Sequence, residues 1–396
     1  LTKSTPEGAR DYLVPSRTHG GKFFALPQSP QLFKQMLMIS GFERYYQIVK
    51  CFRDEDLRPN RQPEFTQLDI EASFVNEADI MALTNTIIKE AFATQNISLD
   101  TDFQSMTYEH AIQTYGTDAP DLRYGMTFAD VSTLFKDCGY KIFQSIVAGG
   151  GSIKGFAIPG LASELSKNML QNDLASKAIK ECGGKGLTWM KVLENDEFES
   201  NIVQFFSKEE LLAAKEATQA KPGDIMVFVA DGSLATVNTV LGRFRVYVAE
   251  RFNLIPEDTY AACWITDFPM FEKTDDGHIT SLHHPFTQPV KQVHDQMDES
   301  EVLSLTARAY DIVINGQEVG GGSIRIHDSK QQEVVFKLLQ LSDEDIEQKF
   351  GFFVNALQYG TPPHGGIALG IDRLVSIILN TSSIRDVIAF PKNRVA

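Results

Sequence analysis

Cysteine is sparse in this 396-residue sequence: Cys51, Cys138, Cys182 and Cys263 stand far apart. With no C-x-x-C pair or regular spacing, they suggest neither a disulfide framework nor a zinc site, and they fit a reducing cytoplasm. No apolar run approaches the ~18 residues that cross a bilayer, and the opening segment has no apolar secretory core, so no membrane partner is expected. Basic residues are also in short supply. With 37 Lys and Arg against 52 Asp and Glu, the formal charge of -15 excludes a protein that coats nucleic acid without selectivity, because displacing counterions takes cations. The shortage is uneven. Residues 1–62 hold ten Lys or Arg against six acids, a local cationic cluster that suits anionic small molecules or an RNA gripped over a restricted surface. The sequence opens on Leu1 and not Met, which leaves room for an upstream domain.

At 43% hydrophobic content, a chain of this length can bury the cores of two or more folding units. Ser29 and Pro30 predict a helix start, with Ser29 as N-cap and Gly41 past the end. Leu32, Phe33, Met36 and Leu37 would form its apolar face; Gln31 and Lys34 share the other, which in an isolated helix is solvated. Residues 45–53 and 65–74 read as an antiparallel strand pair around a charged loop. Alternation sends Gln67, Asp69 and Glu71 to a polar face, which on its own also reads as solvated. Asn76 should cap a helix reaching about Thr94. From about residue 124 to 256 the character changes to an α+β insertion, in which Cys182 to Gly186 lacks the phosphate-loop spacing and reads as a turn. Beyond it come a strand near Cys263, a His283-His284-Pro285 turn, and a helix from about Ser300 to Tyr310. Strands at 310–315 and 321–327 follow, separated by Gly316 and Gly320, and Gly365 to Arg373 leads into an apolar helix.

Phe52-Arg53-Asp54-Glu55 with Arg61-Gln62-Pro63-Glu64-Phe65-Thr66-Gln67 resembles motif 2 of the class II aminoacyl-tRNA synthetases, and Gly366 to Arg373 resembles motif 3. Together with Gln28 to Lys34, His283 to Phe286 and Gly320 to Arg325, the pattern is similar to the bacterial-type aspartyl-tRNA synthetases over nearly the whole chain. That resemblance implies an α+β class II catalytic fold, a mixed and mainly antiparallel sheet flanked by helices, from segments 1–123 and 257–396 around the α+β insertion at 124–256. It also implies a ligase that activates L-aspartate with ATP and transfers it to the 3' end of tRNA.

The same resemblance assigns roles. Arg53, Arg325 and Arg373 are the implied catalytic cations, converging on two neighbouring anions; permanently charged planar guanidiniums suit phosphate and carboxylate alike. Arg53 would bridge the substrate α-carboxylate and the ATP α-phosphate. Asp54, Glu55 and Gln62 join the ATP site, where Phe65 and Arg373 would sandwich adenine, together with Glu318, Gly370, Ile371 and Asp372. Asp311 and Glu318 match the family's Mg2+ ligands, hard oxygens suited to a metal held partly by triphosphate. Aspartate would be held by Arg325 and Lys34 at its side chain, beneath His283 and His284. Glu7, Gln31 and Asp69 would gather at its ammonium, and Ser29 and Gln67 would complete the pocket. Family members carry an upstream anticodon-binding barrel and a dimerisation segment, so a homodimer is implied by resemblance alone. Competing readings are an asparaginyl enzyme of the same architecture, an aspartate-activating amide ligase independent of tRNA, and a catalytically idle binding protein; Lys34 and Arg325 favour the aspartyl enzyme.

Overall fold

The computed structural model describes residues 1–3, 9–99, 102–274 and 276–393. Two compact units emerge, one from residues 1–108 with 262–396, the other from 109–261.

The first unit is built on a seven-stranded sheet. Its order is Arg44–Phe52, Glu64–Ser73, His364–Gly370, Gln317–Ile324, Ala309–Ile314, Ala262–Thr266 and Gln104–Thr107. Every pairing is antiparallel except the last, which is parallel. The helix Glu77–Ala93 starts as expected at Asn76, with a reciprocal capping box to Asp79 that satisfies two otherwise orphaned N–H groups.

The helix Gln31–Ile39 departs from expectation at both its start and its faces. Pro30, not Ser29, occupies the capping position, while the Ser29 hydroxyl accepts from the Gln31 N–H. Gln31, Lys34 and Gln35 are buried and Phe33 is exposed, so the polar side packs inward. Its partner is the polar side of Glu64–Ser73, where Gln67, Asp69 and Glu71 are buried as well. Two polar faces that would each be solvated alone are buried against one another.

Two later boundaries also differ. The helix expected over 300–310 ends at Leu303, because the following segment is drawn into extended pairing, Pro269 with Thr306 and Pro289 with Ala307. The hairpin turn lies at Asn315-Gly316, both at positive φ, so Gly320 sits inside the second strand. An Asn-Gly pair at positive φ matches the twist of a two-residue hairpin.

An aromatic cluster holds the loop after residue 282. Phe286 is buried and meets Phe350 and Phe353 edge-on, and Phe336 stacks on Phe350 at 4.8 Å. Gln332 donates to the Pro285 carbonyl at 2.8 Å.

The unit 109–261 has a five-stranded antiparallel sheet in the order Ala129–Asp130, Ser152–Ile158, Ile225–Asp231, Thr188–Val192, Phe198–Glu199. In its central strand Ile225, Val227 and Val229 enter one core cluster, Met226 and Phe228 another, as a strand buried on both faces requires. The unit takes in residues 109–123, ahead of the change in composition. That segment is polar, and its end is held by the Arg245 guanidinium, which donates to the carbonyl of Asp121 within it and to those of Tyr124 and Gly125 just beyond.

Candidate active site

Residues paired in register share a face of a sheet, so the strand pairing lays out the site. One row crosses the first unit's sheet through Tyr45, Glu71, Gly366 and Ser323; the next through Gln47, Asp69, Ala368, Gly321 and Asp311; a third through Val49, Gln67 and Gly370. Strand His364–Gly370 thus puts its small residues Gly366, Ala368 and Gly370 on this face and buries Ile367 and Leu369 on the other. The absence of side chains is a spatial requirement. A Cβ on Gly366 would fall 2.2 Å from Glu71 Oε2, and one on Gly321 would fall 2.6 Å from Asp311 Oδ1.

Glu318 reaches this face through an irregularity. Asp311 pairs with Gly321 and Ile312 with Gly320, but Val313 pairs with Glu318, leaving Val319 surplus. Such a bulge shifts side-chain parity by one, placing Glu318 on the same face as Asp311. A Cβ on Gly321 would lie within 4 Å of both carboxylates.

On this face the side chains form two compartments. The first is an open cavity whose walls include Arg53, Glu55, Gln62, Phe65, Gln67, Glu318, Gly370, Asp372 and Arg373. Arg53 lies 5.2 Å over the Phe65 ring, and its buried Nε has no hydrogen-bond partner. Glu55 pairs with Arg61 at 2.8 Å and not with Arg53, which leaves the Arg53 guanidinium directed at the cavity. The Asp372 carboxylate accepts from the Thr66 N–H at 2.7 Å and ties motif 3 to motif 2. Arg373 donates to the carbonyls of Glu318 and Asn60. Burial lowers its pKa from the usual guanidinium value; Glu318 opposes that and Arg61 and Arg53 reinforce it. Cations crowded in this way attract polyanions. The Gln62 side-chain oxygen accepts from the Lys392 N–H at 2.7 Å. Asp54 is exposed and bonded through its backbone to Arg10, and neither it nor Ile371 belongs to the wall.

The second compartment is a buried ion cluster two strand positions further on. Lys34 Nζ lies 3.1 Å from Asp69 Oδ1 and 3.3 Å from Glu71 Oε2. Arg325 donates from Nε to Glu71 Oε1 at 2.9 Å and from Nη2 to Oε2 at 3.1 Å, while its Nη1 reaches Ser323 Oγ and His284 Nε2. Burial would raise the Glu71 pKa, but Arg325 and then Lys34 overcome it and hold the carboxyl at about 2. His283 packs edge-on against Phe268; burial first, then Arg325, lowers it to about 4, and His284 is driven down by the same two causes. Both imidazoles are therefore neutral near pH 7.

Buried polar groups are almost always paired, yet here Gln31 Nε2, Asp69 Oδ2 and His283 Nε2 have no partner. The expected single gathering of Arg53, Arg325 and Arg373 thus takes the form of two cations on the cavity wall and one sealed in the adjoining cluster, with Gln67, Asp69 and Glu71 running between them. Glu7 lies outside the described residues. The sequence had assigned no role to Glu71, although its place in the Gln67, Asp69, Glu71 alternation was visible.

Over its full length the chain is 56% identical to "Aspartate--tRNA(Asp/Asn) ligase 1" of Syntrophus aciditrophicus, covering 55% of that protein. It is 50% and 48% identical to the proteins named "Aspartate--tRNA(Asp/Asn) ligase" of Persephonella marina and Aquifex aeolicus, covering all of this chain and 66% of each relative. The chain therefore spans between about half and two thirds of the length of these curated relatives. The family described as "tRNA synthetases class II (D, K and N)" matches residues 1–394, and with motif 2, motif 3 and the sheet face between them in place, the chain belongs to it.

Proposed function

We propose that this chain is the catalytic part of an aspartate–tRNA ligase, forming aspartyl-adenylate and pyrophosphate from L-aspartate and ATP and then passing aspartate to the 3' end of tRNA. The observation that carries this reading is the row of unpaired buried polar atoms, Arg53 Nε, Asp69 Oδ2, Gln31 Nε2 and His283 Nε2, beside the buried cations Lys34 and Arg325. An amino acid with an acidic side chain supplies a partner of the right sign for each charged group among them. Its ammonium suits Asp69, its α-carboxylate suits Arg53, and its side-chain carboxylate suits Arg325 and Lys34. Asparagine would leave those two desolvated cations poorly matched, the kind of mismatch that discriminates near-isosteres.

ATP occupies the open cavity in this reading, with adenine between Phe65 and Arg373 and its amino group toward Glu55. The carboxylate nucleophile is already ionised at neutral pH, so the activation step needs alignment and charge stabilisation by Arg53, not a protein base. Asp311 and Glu318, converging over Gly321, fit a Mg2+ ion that the triphosphate helps to hold. When bound, Mg2+ would supply charge neutralisation at the phosphates. The relatives' names specify tRNA(Asp/Asn), and both tRNAs are proposed as acceptors. A homodimer acting in the cytoplasm completes the proposal.

Aspartate-dependent exchange of pyrophosphate into ATP tests the reading. The parent protein should catalyse it, and Arg53→Ala should lose about a thousandfold or more, the scale of removing a transition-state charge partner. Near-parental exchange in that variant would remove Arg53 from the role.

A further inference from the structure

Arg325 is not free to meet a substrate along any edge it chooses. Glu71 holds its Nε/Nη2 edge through both carboxylate oxygens, and one of those oxygens also faces Lys34 at 3.3 Å. Ser323 Oγ takes Nη1 at 2.6 Å and is itself reached by the Thr287 hydroxyl. A planar fork held along one edge can present only its remaining end. At that end Nη1 already faces the neutral His284 Nε2 at 2.7 Å, so a substrate carboxylate can take the second N–H of Nη2, or Nη1 in place of the imidazole. Space for the arrangement is reserved by Gly366, whose missing side chain is where Glu71 lies.

We propose that Glu71 is a specificity-determining positioning residue: by gripping Arg325 and sharing an oxygen with Lys34, it sets the direction and spacing of two cations so that they accept a carboxylate and reject an amide. Fold stability does not account for the cluster, since a buried ion pair commonly contributes little over an apolar replacement. A cation whose orientation is fixed before binding discriminates better than a mobile one, because none of the binding energy goes into ordering it. This inference rests on the aspartate reading of the site.

Glu71→Gln keeps the volume but puts an amide donor against Nη2 and Lys34. The aspartate KM in pyrophosphate exchange should rise about tenfold or more and aspartate-over-asparagine discrimination should fall with it, while kcat and the ATP KM stay within about twofold, a split that marks loss of substrate binding and not of chemistry. Glu71→Asp, retaining the charge, should recover part of the loss. An unchanged or lowered aspartate KM in Glu71→Gln overturns the proposal, as does an equal fall in every parameter with a lowered Tm.

The Arg325 side-chain N–H signal, identified by its disappearance in Arg325→Lys, gives a readout independent of activity. It should be protected from solvent exchange in the parent and lose that protection in Glu71→Gln. If the parent shows no aspartate-dependent exchange, the functional reading fails; persistent protection of the signal in Glu71→Gln overturns the positioning role by itself.

Discussion

The sheet of residues 109–261 and the sheet of the other unit both bury cations, but the cations meet different partners. In the insertion, Lys154 Nζ donates to the Gln113 carbonyl and side-chain oxygens and to Asn238 Oδ1. Arg245 donates to three backbone carbonyls and lies over the rings of Tyr115 and Tyr124. Their contacts are neutral oxygens and π-faces that pin a polar segment. Around Lys34 and Arg325 the contacts include carboxylates, Asp69 and Glu71, beside the neutral Ile70 carbonyl, Ser323 and His284, and unpaired atoms remain nearby. A buried cation satisfied by backbone holds a chain in place, whereas one held by a carboxylate beside unpaired acceptors and donors marks a place for something else.

The sharpest way to break this comparison is to remove one cation from each sheet. Arg325→Leu leaves Glu71 buried without its main partner, at a cost of about 3–5 kcal/mol, and aspartate-dependent exchange should fall by about a thousandfold or more. Arg245→Leu should lower the denaturant midpoint by stranding carbonyls, at about 1–3 kcal/mol each, with exchange per folded molecule retained. If Arg325→Leu leaves the aspartate-to-asparagine ratio unchanged, the contrast collapses.

Glycines offer a smaller and matched test. A Cβ at Gly366 would meet Ile70 O at 2.1 Å and Glu71 Oε2 at 2.2 Å; one at Gly155 would meet Val227 O at 2.1 Å and Phe228 Cδ1 at 2.4 Å. Either alanine variant should lose stability by about 1–3 kcal/mol or more through overpacking. Only Gly366→Ala should also raise the aspartate KM, measured at a temperature where both variants are folded.

Acid should separate the two kinds of burial by the smallest margin. His283, lowered to about 4 from 6.5, stays neutral when the unfolded chain takes up its proton, so stability falls as the pH drops from about 6.5 to 4. The contribution of Glu71 is fully present above about 4.5 and is lost toward its folded value of about 2. Urea midpoints across this range should show the first loss shrink in His283→Phe, and an unchanged profile would remove that histidine as its source.

Much of this architecture was legible in the sequence, because local signals and final structure agree. Asn76 announced its helix and the alternation after Phe65 announced its strand. The buried polar faces were not legible. Gln31, Lys34, Asp69 and Glu71 carry every mark of solvated positions, and what buries them lies outside any local window: Lys34 meets Asp69 across 35 residues, and Arg325 lies 254 residues beyond Glu71. The segment at 300–310 was misjudged for a related reason: its helical propensity yields to pairing with residues 269 and 289, a tertiary effect that no local window contains.

The bulge at Val319 carries a further consequence. Glu318 joins Asp311 because the bulge absorbs Val319, so that Glu318 and not Val319 stands opposite Val313. Regular pairing with Val319 retained would set Glu318 opposite Ile314 and turn its carboxylate to the other side of the sheet. The carboxylate pair is thus encoded by an irregularity of pairing as much as by residue type.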